Sequence, residues 1–501
     1  MLRRLANTAW RIRCQPARRA LDSALAAPET AQAAVLMSIL RRNASTAFGR
    51  EFGFGALTEP REFQSRVPEQ DYGSLEPLIR RTAAGEPGLL TAESTLMFEP
   101  TSGSSSAAKW IPYTASLRAE YQRAIRAWVA DLFAAFPAMR AGSAYWAISP
   151  LSRQDPSHTP GGIRIGYGSD AEYLGRFERW AAARSFAVPQ EVARATDLDR
   201  CLDLTCRHLR AARDLAFISV WSPTFLELIL DRIGSDASEL WPNLSAVSCW
   251  ADGPAAPAAR RLAHRLPNVT LQPKGLLATE GVVTIPLAEF GGNVLAANAH
   301  FYEFAPVAGG PPRLAHELES GAEYTVLLTT GGGLYRYRLG DRVRVSGFAK
   351  RAPMLEFLGR EGGVSDLCGE KLNPAFVQDA LDSLRPSTLP ADAFAMLAPA
   401  DAGGGYVLFT SACADGGRLA HSLEAALGKN PHYAYARRLG QLDHLRVVKA
   451  GGDAPSRHLA RCISLGMRAG DVKPPSLDAR GGWEAWFGVN VRKDSQHAGA
   501  L

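Results

Sequence analysis

The chain has 501 residues, 46% of them hydrophobic and 21% charged, and a formal net charge of +6. That length exceeds what a single hydrophobic core supports, so at least two domains are expected, and no stretch approaches the roughly 18 consecutive apolar residues of a membrane span. The small positive excess comes without a long basic run, so it argues only weakly for nucleic acid and suits anionic small substrates equally well; neither a nucleic-acid partner nor, without an apolar span, a membrane is expected.

The first segment carries Arg3, Arg4, Arg11, Arg13, Arg18 and Arg19 with no acid before Asp22. Such a pattern could belong to an organelle transit peptide. A second periodic apolar segment (Val35, Leu36, Ile39, Leu40) follows a break at Pro28, so an amphipathic first helix is the preferred reading. Residues 30 to 135 read as helices broken by Pro- and Gly-bearing turns, with one β-favouring stretch, Thr95 to Phe98, that leads into a loop of small residues. Thr114 is placed to cap a helix from Ala115 to Phe136, ended by Pro137. From 216 to 304 short apolar strands (217–220, 246–250) alternate with helical stretches (224–233), the signature of an α/β sheet. The stretches 324–328 and 342–345 flank a glycine-rich turn and read as antiparallel strands. The character changes after Gly359. The expected fold is therefore α/β, with a large N-terminal domain of mixed sheets and helices (1–358) and a smaller C-terminal α+β domain (359–501), whose first helix has Asn373 as cap and Pro374 at its first position. The seven cysteines are scattered without a CxxC pair, which fits a reducing cytoplasm, and His208, His264 and His300 make no metal-binding spacing.

Three constellations carry chemistry. Thr101-Ser102-Gly103-Ser104-Ser105-Ser106-Ala107-Ala108-Lys109 follows the β-favouring stretch. Small residues let backbone N–H groups approach a phosphate, hydroxyls add donors, and the lysine supplies compact positive charge. On composition alone the same loop reads as a flexible connector. Leu276-Leu277-Ala278-Thr279-Glu280 ends an apolar segment in a hydroxyl and a carboxylate; one carboxylate beside phosphate oxygens is sufficient protein ligation for magnesium, and the bland reading is a surface turn. Gly333 to Asp341 (GLYRYRLGD) sets an aspartate, able to accept two ribose hydroxyls, beside a glycine turn, and LEFLGR (355–360) follows it.

The order of these signals resembles the acyl-adenylating superfamily of acyl-CoA synthetases, luciferases and peptide-synthetase adenylation domains. Within it the chain resembles the auxin-responsive-promoter family of acyl acid amido synthetases, through FEPTSGSSSAAKWIPYT (98–114), VWSPTF (220–225), GLLATEGVVTIPL (275–287), HFYEFAP (300–306) and GLYRYRLGDRVRVSGF (333–348), and looks most like its bacterial branch. The resemblance implies an ATP-dependent ligase that makes an acyl-adenylate, releases pyrophosphate, and transfers the acyl group to an amine such as an amino acid. It implies ATP binding by Thr101, Ser102, Gly103, Ser104, Ser105 and Lys109, phosphate contact by Thr279, magnesium at Glu280, ribose contact by Asp341 and an aromatic near adenine from Phe301 and Tyr302. Arg360 corresponds to the hinge about which the C-terminal domain rotates, and Lys473 to the late lysine that bridges carboxylate and α-phosphate; by itself Lys473, beside Pro474 and Pro475, also reads as an exposed charge in a turn. Trp221, Val282 and Val283 read first as core and, under the resemblance, as the acyl side. Two departures stand out. Ser106 and Ala108 occupy positions where the superfamily loop has glycine and proline, and the tyrosine that often precedes Thr-Glu is absent. An acyl-CoA ligase using the same adenylate, and a catalytically silent acyl-binding protein, are the competing readings.

Overall fold

The computed structural model describes residues 2–101, 109–147, 158–166, 175–195, 198–361, 365–467 and 469–488. The chain divides into two compact units, the first comprising 1–221, 229–249 and 266–357, the second 222–228, 250–265 and 358–501. The architecture is mixed α/β, as expected.

In the first unit the basic N-terminal segment forms the helix Leu2–Ala26, which buries Ala6, Trp10, Cys14, Leu21 and Leu25 along one face. Spacings of four and seven residues keep those side chains in one stripe and leave Arg4, Arg13 and Arg19 exposed. The stripe packs on the helix Ala115–Ala135, with the rings of Trp10 and Phe133 edge to face at 6.1 Å. Pro28 opens the next helix, Pro28–Asn43, where its missing N–H costs nothing. No single helix is long and apolar enough to cross a membrane among the described residues.

Two sheets follow. Ser143–Trp146, Leu215–Ser219, Ala246–Cys249 and Thr270–Pro273 lie side by side in that order, all parallel. Every residue of Leu215–Ser219 is buried, which is what a central parallel strand covered on both faces requires. The larger sheet has seven strands, in the order Arg313–Leu314, Phe301–Pro306, Glu323–Thr329, Tyr337–Ala349, Ala352–Arg360, Gly292–Leu295, Thr284–Leu287. Glu323–Thr329 and Tyr337–Ala349 pair antiparallel around the glycine turn, with Tyr324 opposite Val343. Both strands run longer than the sequence reading of 324–328 and 342–345.

The second unit holds a three-stranded sheet. Ala395–Pro399 and Tyr406–Thr410 are antiparallel, and Arg446–Lys449 lies parallel to the middle strand. Its core joins Leu381, Leu408, Leu419, Leu423 and Tyr433. The helix Pro374–Ser383 starts as anticipated, with the Asn373 side chain accepting the Phe376 N–H at 2.9 Å.

Candidate active site

The serine/glycine loop is gripped at its neck by a hairpin. Met97–Pro100 pairs antiparallel with Trp110–Tyr113, and the Thr101 N–H donates to the Lys109 carbonyl at 2.9 Å. Ser102, Gly103, Ser104 and Ser105 lie outside the described residues, as do Ser106 and Ala108. The half-buried Lys109 extends its ammonium over the ring of Tyr72, 5.5 Å from the centroid. The Tyr72 hydroxyl in turn accepts the Trp110 N–H at 2.9 Å. Next to it, Asp71 caps the helix Tyr72–Ala83; its carboxyl is held below its ordinary value first by the Ser74 backbone N–H and also by the nearby Lys109 charge.

Hydrogen bonds from the second strand of this hairpin, and from the helix it feeds, reach the other two motifs. The Tyr113 hydroxyl donates to the Thr279 carbonyl at 2.7 Å. Thr114 accepts the Leu117 N–H at 3.1 Å as the helix cap and donates to the Gly331 carbonyl at 2.8 Å. One turn into the helix, Glu120, 5% exposed, accepts the Gly331 N–H at 3.0 Å and meets His300 Nδ1 at 2.8 Å. His300 Nε2 accepts the Val282 N–H at 3.1 Å, which fixes the Nδ1 proton toward Glu120. A β-carbon on Gly331 would lie 2.5 Å from Glu120 Oε1, so only glycine permits this approach. Hydrogen bonds thus join the second hairpin strand and the helix it feeds to the Thr279-Glu280 turn and the 330–333 turn.

Thr279 and Glu280 form the turn between the short strands Leu277–Ala278 and Gly281–Val282, with Glu280 3% exposed. The donor set, one carboxylate next to one hydroxyl, fits a magnesium that takes its remaining ligands from water and phosphate. It does not fit zinc, and no group of three His, Cys, Asp or Glu residues able to hold a metal occurs among the described residues. Asp341 sits on the strand Tyr337–Ala349, 7% exposed, on the same face as Tyr337, Leu339 and Val343. Its neighbours in the motif are structural. Arg336 takes a positive φ of 45°, and its buried guanidinium meets Glu303 at 2.8 Å and donates to the carbonyls of Gln64 and Val67. The Tyr335 hydroxyl donates to Leu90 O.

Four residues expected at the ligand are closed inside the core. Phe301 and Tyr302 are 1% and 0% exposed, and the Tyr302 hydroxyl donates to the carbonyls of Val282 and Ala296 at 2.6 and 3.1 Å. Burial raises the Tyr302 phenol far above its ordinary value. Neither ring is presented to an adenine here, because their strand is interior to the seven-stranded sheet. Val282 and Val283 are both fully buried, so their methyls pack the core rather than line an opening. Trp221 stays half-buried, with the Lys274 ammonium 4.7 Å from its ring centroid. Arg360, exposed, ends the strand Ala352–Arg360, three residues past the last position of the first unit. Lys473 belongs to the second unit, where it is exposed and lies 4.2 Å from the Trp250 ring centroid.

Sequence reasoning missed Glu120 and Lys274. Glu120 looks like any acid on a helix, and only the fold brings it to Gly331 and His300. Lys274 follows Thr270-Leu271-Gln272-Pro273, where nothing local announces that its charge is buried.

The chain is 24% identical over 475 residues to the indole-3-acetic acid-amido synthetase GH3.5 of Arabidopsis thaliana, covering 77% of each chain. Its fold superposes on the GH3.15 acyl acid amido synthetase bound to 2,4-DB with a TM-score of 0.78 at 17% identity, covering 95% of this chain and 96% of the other. On a 2-hydroxyisobutyryl-CoA ligase in complex with its acyl-AMP the TM-score is 0.53 at 12% identity, covering 84% and 86%. The GH3 family N-terminal domain matches residues 17–233 and the GH3 family central domain residues 293–360, together more than half of the sequence, and the chain belongs to the GH3 family.

Proposed function

We propose that this protein is an ATP-dependent acyl acid amido synthetase, using the bonded network of hairpin, Thr279-Glu280 turn and 330–333 turn as its adenylation site. The observation that carries the reading is the Tyr113–Thr279 hydrogen bond at 2.7 Å, which ties the strand leaving the serine/glycine loop to the turn bearing Glu280. In the first step a carboxylate oxygen of the acid attacks the α-phosphorus of ATP and pyrophosphate leaves. In the second, the amine nitrogen attacks the acyl carbon, AMP leaves, and the nitrogen gives up a proton.

Lys109 and the backbone of the 101–109 loop bind the polyphosphate, and Lys109 offsets the charge that develops as pyrophosphate departs. Glu280, with Thr279, would hold magnesium; when bound, the ion neutralises phosphate charge. Asp341 accepts the ribose hydroxyls. Lys473 brings the carboxylate and α-phosphate together against their repulsion, and Arg360 marks the hinge from which the second unit moves between the two steps. The five motifs together look most like the bacterial branch of the family.

Hydroxylamine trapping of the adenylate across a panel of acids, including indole-3-acetate, tests the reading. Acid-dependent hydroxamate with pyrophosphate is expected. Thioester formation with CoA that outruns amide formation with every amino acid would favour a CoA ligase instead.

A further inference from the structure

The helix Leu2–Ala26 carries two apolar stripes, and the core takes only one of them, the stripe of Trp10, Cys14 and Leu21. Leu2, Leu5, Ala9, Ile12 and Pro16 recur at alternating spacings of three and four residues. At 3.6 residues per turn they fall within an arc of about 80°, centred about 130° from the buried stripe. Leu2, Leu5 and Ile12 are 74%, 56% and 62% exposed. Single apolar side chains in water need no explanation, but a row in helical register does. Arginines edge the row. On the same projection Arg13 lies about 20° beyond one side and Arg19 about 20° beyond the other, with Arg4 farther round on the Arg19 side. All three are exposed. Arg3 and Arg18 do not belong with them, because Arg3 pairs with Asp214 and Arg18 with Asp22, Asp131 and Glu289. The helix has no acid before Asp22.

We propose that this face of the helix docks on an anionic lipid bilayer, lying along the surface rather than crossing it. A helix in the headgroup layer needs no spanning run, only apolar side chains that enter the acyl boundary and cations level with the phosphates. Leu2, Leu5 and Ile12 supply the first over about 15 Å of helix. Arg4, Arg13 and Arg19 supply the second, on stems long enough for the guanidiniums to stay among the phosphates while Leu5 and Ile12 go deeper. The row stands out from a single helix that is anchored from behind, where Trp10 meets Phe133. A protruding row of this kind suits a plane, whereas a protein partner would have to supply a groove. Charge argues against a second copy of the chain, since pairing two such stripes sets arginine against arginine.

The test is co-sedimentation of the full-length protein with vesicles of phosphatidylcholine alone and of equimolar phosphatidylcholine and phosphatidylserine. The wild type should bind the mixed vesicles about 10-fold or more tightly than the neutral ones, and about 0.5 M salt should release it. Two sets of substitutions at exposed positions, with folding checked by thermal melting, separate the components. Leu5→Ser with Ile12→Ser should weaken binding to mixed vesicles about 10-fold, and Arg4→Gln with Arg13→Gln and Arg19→Gln about 10- to 100-fold. Leu439→Ser, at an exposed leucine of the second unit, should leave binding unchanged. A wild type with no preference for the mixed vesicles overturns the proposal without recourse to any variant. So does binding that survives Leu5→Ser with Ile12→Ser, which is adsorption of a basic protein and nothing more. Self-association dissolved by Ile12→Ser, or capture of an acidic helical peptide by a protein that ignores both vesicles, would assign the face to a protein partner and overturn the proposal equally.

Discussion

Lys109 and Glu280 are separated by 171 positions in sequence yet belong to one network, joined through the hairpin and the Tyr113–Thr279 bond. Removing one electrostatic group that meets developing phosphate charge commonly lowers the rate about 10²- to 10³-fold. Lys109→Ala and Glu280→Ala should each show that loss in pyrophosphate release with unchanged thermal melting; near-normal release from either would remove it from the site. Asp341→Asn replaces an acceptor-only carboxylate by an amide that presents a donor to one ribose hydroxyl. ATP affinity should fall by about 1.5–3 kcal/mol, read by calorimetry, and an unchanged affinity would take Asp341 out of the ribose contact. These residues are proposed from local motifs, in which their chemistry is written. Phe301 and Tyr302 stand in an equally distinctive motif, HFYEFAP, but motif membership carries no burial: both lie on a strand flanked by partners on either side, and their rings are core.

At the scale of elements, caps and periodicity were readable because they are local. Thr114 and Asn373 cap the helices the sequence assigned to them, and the first helix shows its apolar stripe. Glu120 and Lys274 were not readable, since each acts through partners more than fifty positions away. Glu120→Gln tests the network they reveal. An amide keeps one acceptor for two donors, Gly331 N–H and His300 Nδ1–H, so stability should fall by about 1–3 kcal/mol in denaturant unfolding, with weaker ATP binding; a silent substitution would dissolve the network. In the second unit, burial pushes His458 down from 6.5 to about 4, with its ring stacked on Trp483 at 5.2 Å. The unfolded chain therefore takes up a proton on this residue before the folded one does. Its contribution is complete above about pH 6.5 and is lost as pH falls toward 4, amounting to about 3 kcal/mol across that window. His458→Phe should flatten this part of the stability profile measured by pH-dependent unfolding; an unchanged profile would mean that His458 is not its source.

For the molecule as a whole, length foretold more than one compact unit, and the family match follows from the motif order. In the proposed function, Lys473 of the second unit brings the substrate carboxylate and the α-phosphate together. Because it relieves a repulsion present only before the mixed anhydride forms, Lys473→Ala should fail to make acyl-AMP from acid and ATP yet still convert supplied acyl-AMP and amine to the amide. Equal loss of both half-reactions, or of neither, would end that assignment. The most direct measurement of acyl-adenylate chemistry follows oxygen. With an accepted acid labelled in its carboxylate with heavy oxygen, mass spectrometry of the products should find one labelled oxygen in AMP and none in pyrophosphate, because the oxygen that attacked the α-phosphorus leaves with it. Label recovered in inorganic phosphate alongside ADP, or AMP released without label, would contradict activation through an acyl-adenylate.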